Sequence, residues 1–439
     1  MDGEILDELC QWLRIPSIST GEGDAADLER AASFAAEKVR RAGGQASLVT
    51  VGDGNPLVVG ELEGPSPDAP TVLIYGHYDV QSPGPASEWS SHPFEPEVRD
   101  GRLYARGASD DKGNFYSLLY AACALASEGQ LPVNVRVVVE GEEEVGGASV
   151  AEWVRNDERG ADCAIVFDSQ MENPSTPAIT VGLRGVIAAK LTIEVQPRDL
   201  HSGMYGGSVL NALHVLHGVL AKVMPDDRGV VPESLAAGVA EPGAEEVEGW
   251  GRLKPGEEIL GEVGARPLYP EAAEEFRLRN GARPAVDVNW IEAGSPRTVI
   301  PGRAEAFVSL RIAPGQDQHE MKAEFERLLR SGLPDDATME ISWHSGAPSL
   351  FEPELPAIRL AREAIDRASG METALVRAGA SIPVVADLQE QGIPVVVTGF
   401  ALAEDDIHAP DESFAVDSLL LGERCAREML VALAGLPRG

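Results

Sequence analysis

The chain has 439 residues, enough for two or three domains, and 44% of them are hydrophobic, which excludes wholesale disorder. Acidic residues number 71 against 36 basic, a formal net charge of -35, so neither nucleic acid nor an anionic membrane surface is expected as a partner. Much of this acidity reads as solvated surface, but part of it falls where carboxylates do chemistry.

Residues 1 to about 182 alternate helical and strand patterns. Helices are expected over 2–14, 24–42, 112–128 and 147–156, and strands over 57–62, 71–77, 133–140 and 163–168. The runs TVLIYG, VRVVVEG and CAIVF are too apolar to face water on either side, so they read as strands of a largely parallel sheet covered by helices. The first helix is amphipathic (Ile5, Leu6, Leu9, Trp12, Leu13) and lacks the basic-then-apolar layout of a secretion signal. No apolar stretch approaches the ~18 residues needed to span a bilayer. After Arg184 the style changes: a strand over 186–195, a helix over 208–223, a Glu-, Gly- and Pro-rich stretch of little periodicity over 225–284, strands over 286–292 and 304–312, a helix over 318–331 and a strand over 337–344. Without the irregular stretch this order is β-α-β-β-α-β, the ferredoxin-like signature. From about 351 the first style returns, with a helix over 355–368, a strand over 394–399 and a helix over 416–434. The expected architecture is an α/β domain made of 1–183 and 350–439, with a smaller α+β domain, 184–349, inserted in it. Cys10, Cys123, Cys163 and Cys425 form no Cys-x-x-Cys pair and read as buried free thiols, which fits a reducing, cytoplasmic setting.

Acids and histidines fall just beyond the ends of these apolar runs. TVLIYG leads into His77 and Asp79, VRVVVEG into Glu142, Glu143 and Glu144, CAIVF into Asp168, and PVVVTGF through an acidic loop to His408. Ligands of open α/β sheets bind outside the carboxyl ends of the strands, so these segments converge on one edge. His with several carboxylates is the composition of a dinuclear metal site and points to a metal-dependent hydrolase. Asp79, two residues from His77, can ligate directly or orient the imidazole. Asp110 and Asp111 stand in a Gly-flanked loop before a helix, where either caps the helix or bridges metals. Among the crowded glutamates, one can bind metal while its neighbour serves as general base. Singly, each segment has an ordinary reading as a turn or a cap; together they do not. Of the other histidines, His214 and His217 read as packed or solvated, while His201 lies in a Gly-rich loop suited to close approach of a ligand. There is no Gly-x-Ser-x-Gly elbow, phosphate-binding loop or dinucleotide fingerprint.

In order along the chain, GHYDV, RGASDDKG, EGEEEVGG, the Asp ending a strand, DLHSGMYGGSV and IHAPDESF resemble the M20 metallopeptidase family, and the HSG-x-YGGSV form its carnosinase-type, cytosolic non-specific dipeptidase-like branch. The resemblance implies a di-metal, zinc-peptidase-like catalytic domain, a ferredoxin-like lid that dimerises, and hydrolysis of a peptide or amide bond. It implies that His77 and Asp168 hold one metal, Glu144 and His408 the other, and that Asp110 bridges them. Asp79 would orient His77, Glu143 would be the general base, and the Asp110–Asp111 peptide would be cis. His201 would stabilise the oxyanion in a partner subunit's site, Arg311 would grip a substrate carboxylate, and Thr298 and Ser381 would make further substrate contacts. Two divalent cations per subunit are expected, zinc first, with manganese or cobalt as alternatives. Two departures stand out. RAGAS carries Ala378 where carnosinase-like enzymes have a Glu that meets a substrate ammonium, and Trp290 stands where the family commonly has Gly. The expected activity is therefore cleavage of dipeptides or short peptides, with N-acyl amino-acid deacylation as the second reading. A metal- or peptide-binding protein without turnover would need a broken ligand set, which this chain does not have.

Overall fold

The computed structural model describes residues 2–21 and 23–437. It divides into two compact units, one formed by Met1–Val181, Phe351–Val376 and Ile382–Gly439, the other by Gly182–Leu350 and Arg377–Ser381.

The first unit is built on a mixed sheet whose centre is parallel. Asn134–Glu140, Thr71–His77, Cys163–Phe167 and Val395–Thr398 run side by side in that order, all parallel. Antiparallel strands Gln45–Val49 and Leu57–Leu62 extend one flank, and Ala178–Leu183 extends the other. The central strands are buried almost throughout, as their Val- and Ile-rich sequence requires. The expected α/β class with a largely parallel sheet is borne out. The helix Lys112–Ser127 is buried on nearly every side and packs between the His77 strand and the closing helix Val416–Leu433. Asp111 occupies its N-cap position yet makes no side-chain cap bond, so the capping alternative fails. Its carboxylate instead accepts the His77 N–H at 3.2 Å.

The second unit carries a four-stranded antiparallel sheet in the order Ala285–Ala293, Arg303–Ile312, Gly185–Glu194, Thr338–Gly346. Burial alternates along Arg303–Ile312, and the inward residues Ala306, Val308 and Leu310 join Leu191, Leu216, Phe325 and Leu329 in a core shared with helices Ala212–Leu220 and Gln318–Ser331. The strand and helix order is that of a ferredoxin-like unit. Trp290 lies opposite Phe307 just after a β-bulge, and both rings are partly exposed. The helix expected over 208–223 is shorter, because the Asn211 side chain caps it by accepting the Leu213 N–H at 2.9 Å.

The stretch 225–284 is not irregular as expected. It holds helices Ala244–Trp250, Gly256–Glu262 and Phe276–Ala282, each too short to show periodicity in sequence. It is anchored by Arg377, whose guanidinium donates to both Glu246 carboxylate oxygens, at 2.7 and 3.0 Å, and to the Ala240 carbonyl at 2.7 Å. Both members of the pair are almost fully buried. Glu246→Ala is therefore expected to destabilise the protein by about 3 kcal/mol, since it strands a buried guanidinium. Denaturant unfolding of that variant beside Arg377→Met/Glu246→Leu checks this, with the double substitution expected to lose less. Among the described residues no helix is long and apolar enough to cross a membrane, and all four cysteines are free, with Cys10 only half-buried.

Candidate metal centre

All the strand-end acids and histidines belong to the first unit. His77 is the last residue of its strand, in register with Glu140 of the neighbouring strand, and Asp168 follows the strand that ends at Phe167. Parallel strands bring both residues to one edge. The peptide between Asp110 and Asp111 is cis. The loop after Val395–Thr398 brings in His408 with left-handed backbone at Asp406, His408 and Asp411, a conformation that persists only when its surroundings hold it.

Two triads share Asp110. Ligand atoms of His77, Asp110 and Asp168 all lie within 4.8 Å of one another, as do those of Asp110, Glu144 and His408. His77 Nε2 is 3.0 Å from Asp110 Oδ1, and His408 Nε2 is 2.9 Å from Asp110 Oδ2 and 3.2 Å from Glu144 Oε2. Two imidazoles thus approach opposite oxygens of one carboxylate, the arrangement a bridging ligand requires.

The electrostatics show which charge the donor set favours. Burial drives the Asp168 carboxyl up to about 7 and the Glu143 carboxyl up to about 9, helped by mutual repulsion among Asp110, Asp168 and Glu144. Hydrogen bonds to Asp110 and Glu144 push His408 up to about 10. Burial works to lower the His77 imidazole, but bonds to Asp110 and Asp79 prevail and raise it. For Asp110 burial acts upward, yet the two histidines hold it well below the usual carboxylate range. Both histidines are thus held toward their charged forms by the carboxylates around them, which marks the site as one that favours positive charge. A nitrogen and carboxylate donor set with surplus negative charge fits two divalent cations.

Asp79 ties the parts together. His77 Nδ1 lies 3.0 Å from its carbonyl oxygen and 3.4 Å from its carboxylate. That carboxylate accepts the Ser19 hydroxyl at 2.6 Å and the N–H groups of Glu143 and Glu144 at 3.3 and 3.2 Å. One buried side chain therefore aims a histidine and the turn bearing two glutamates. The Glu144 carboxylate is further held by Gln81, through its side-chain amide at 2.8 Å and its backbone N–H at 3.1 Å. Ser19 and Gln81 escaped the sequence reading. Gln81 lies two residues beyond Asp79, and nothing in its own surroundings marks it; only the fold joins it to Glu144.

The remaining expected residues lie in the second unit. Leu200–His201 pairs antiparallel with Val299–Ile300, and Ser202 bonds the Thr298 carbonyl through its N–H at 3.0 Å and its hydroxyl at 2.8 Å. His201 and Thr298 are thus neighbours, both exposed. Arg311 is half-buried on the strand Arg303–Ile312. Burial, with the like charge of Arg311, lowers Arg184 to about 10. Ser381 is half-buried at the end of the segment Arg377–Ser381.

Known proteins resemble this chain over nearly its whole length. The chain is 28% identical to the Cys-Gly metallodipeptidase dug1 of Schizosaccharomyces pombe, across 95% of this chain and 93% of that protein. It is 26% identical to the Beta-Ala-His dipeptidase of Homo sapiens, across 93% of this chain and 86% of that one. The fold matches the crystal structure of the M20 family metallo-carboxypeptidase Sso-CP2 from Sulfolobus solfataricus, with a TM-score of 0.87, 28% identity and coverage of 99% and 100% of the two chains. The sequence model of peptidase family M20/M25/M40 matches residues 73–432, most of the length and every segment of the metal centre, and the chain belongs to that family of peptide-bond-hydrolysing enzymes.

Proposed function

We propose that the chain is a two-metal dipeptidase that cleaves dipeptides with a free amino terminus. The observation that carries this reading is the pair of imidazoles on opposite oxygens of Asp110, with the raised Glu143 carboxyl beside them. His77 and Asp168 would hold one cation and Glu144 and His408 the other, with Asp110 shared between the two positions. Zinc is the first choice, and manganese or cobalt suits the same donors. When bound, the cations polarise the scissile carbonyl and lower the pKa of water toward ~7.

The protein's own groups do the rest. Glu143 takes the proton of the attacking water and returns it to the leaving nitrogen. Burial is the main cause of the raised Glu143 carboxyl; cations beside its neighbours would remove the added repulsion from Asp168, Asp110 and Glu144 and so favour the carboxylate that accepts a proton. Asp79 keeps His77 and the Glu143 turn aligned. His201 stabilises the oxyanion, acting from a second copy of the chain, Arg311 receives the substrate carboxylate through its planar fork, and Thr298 and Ser381 add polar contacts. The open edge strand Ala285–Ala293, with Trp290 and Ile291 exposed, supports a homodimer through the second unit. The free cysteines support a cytoplasmic setting.

The dipeptidase names of two relatives favour free dipeptides, and Ala378 is the one residue that keeps substrates with a blocked amino terminus as the second reading. Matched dipeptides with free and acetylated amino termini, assayed after reconstitution with zinc and with manganese, decide this. Faster cleavage of the free set is expected. Preference for the acetylated set would transfer the chain to the deacylase or carboxypeptidase side, with Ala378 as the reason.

A further inference from the structure

Glu412 lies four residues beyond His408 and is wholly buried. Its Oε2 accepts from Arg106 Nη1 at 2.7 Å and from the Gly107 N–H at 2.9 Å. Its Oε1 accepts from the N–H groups of Ser109 and Asp110, at 2.9 and 3.0 Å. Arg106 places a second nitrogen 3.2 Å from the Ala409 carbonyl, and the Glu412 carbonyl accepts the Ala105 N–H at 3.1 Å. The segment that delivers Asp110 is thereby stitched to the segment that delivers His408, and charge-assisted bonds make the stitch strong.

The two cation positions differ in what supports them. His77 and Asp168 stand on the ends of packed parallel strands. His408 stands on a loop that is left-handed at Asp406, His408 and Asp411. Other bonds hold that loop from outside: Ser109 and Arg102 bind Asp405, and Ser90 binds Asp411. Glu412 alone among these loop acids reaches the backbone of Asp110 itself.

We infer that Glu412 is a positioning residue that fixes Asp110 against His408 and so governs occupancy of the cation position formed by Asp110, Glu144 and His408. The inference rests on the two-metal reading above. The position at His77 and Asp168 shares Asp110 but takes its other two ligands from strand ends, so it is expected to be less sensitive to Glu412 than the position that also needs the His408 loop. The decisive substitution is Glu412→Gln. It keeps the volume, but whichever way the amide turns, its NH2 faces a pair of donors. Glu412→Asp keeps the charge and shortens the reach.

The test is calorimetric titration of chelator-treated protein with zinc, paired with the visible spectrum after cobalt(II) replacement. The wild type is expected to bind two equivalents. Glu412→Gln is expected to keep one tight site and weaken the other by roughly 10- to 100-fold, with a changed cobalt spectrum. Glu412→Asp is expected to recover part of that loss. A folded Glu412→Gln with both affinities within about twofold of wild type overturns the inference even if its heat stability falls, as does an equal loss at both sites. Should Glu412→Gln fail to fold, Glu412→Asp decides by the same criterion. Wild-type protein that takes up fewer than two equivalents overturns the two-metal reading instead, a separate failure.

Discussion

Glu143→Gln is expected to lower turnover by roughly a thousandfold while both metals stay bound. The carboxyl is mostly shielded from solvent, and among the described residues no protein donor bonds it, although its own backbone N–H is fixed by Asp79 at 3.3 Å. A side chain held at the backbone and open at its tip is placed to exchange protons, not to hold structure. Glutamine preserves shape and removes basicity. Metal content is read alongside turnover, so a loss caused by metal departure is distinguished from a loss of proton transfer. Near-wild-type turnover with metals in place would remove Glu143 from the mechanism.

Metal removal is expected to abolish activity, and metal affinity is expected to fall as pH falls. The sign follows from the protons of the metal-free site. His408, raised to about 10, and Glu143, raised to about 9, favour their protonated forms at neutral pH, and Asp168, raised to about 7, titrates near neutrality. A cation must displace the protons on its ligands, so the apparent affinity climbs with pH through about 7 and on toward 10 for the position that includes His408. Each proton displaced contributes about tenfold per pH unit within that window. Calorimetry at neutral pH in buffers of different ionisation enthalpy is expected to show net proton release on metal binding. Release of none would mean the histidines are already neutral and the charge balance described above is wrong.

How much of this was legible in sequence depends on where the determining contacts lie. The central strands were readable because burial on both faces leaves mostly apolar residues in runs such as VLIYG and CAIVF, and their ends mark the edge where His77, Asp168 and the glutamates gather. Ala178–Leu183 and Ala374–Ala378 escaped because Thr180 and Gly182 interrupt the first apolar run and Arg377 the second. The short helices within 225–284 escaped because seven residues are too few to establish a 3.6-residue period. At the site, residues that carry charge to the strand ends announced themselves, while those that aim them did not. Glu412 sits inside the quoted IHAPDESF, yet its partners, Gly107, Ser109 and Asp110, lie some 300 positions earlier. Gln81 is likewise an ordinary amide until folding sets it against Glu144.

The most direct test of the two-metal dipeptidase follows hydrolysis of an unblocked dipeptide while zinc is added stepwise to chelator-treated protein. Turnover is expected to be absent at the start, to rise with added metal and to level off at two equivalents per chain. Full turnover in the metal-free protein, or two tightly bound ions with no cleavage of any dipeptide, would contradict it.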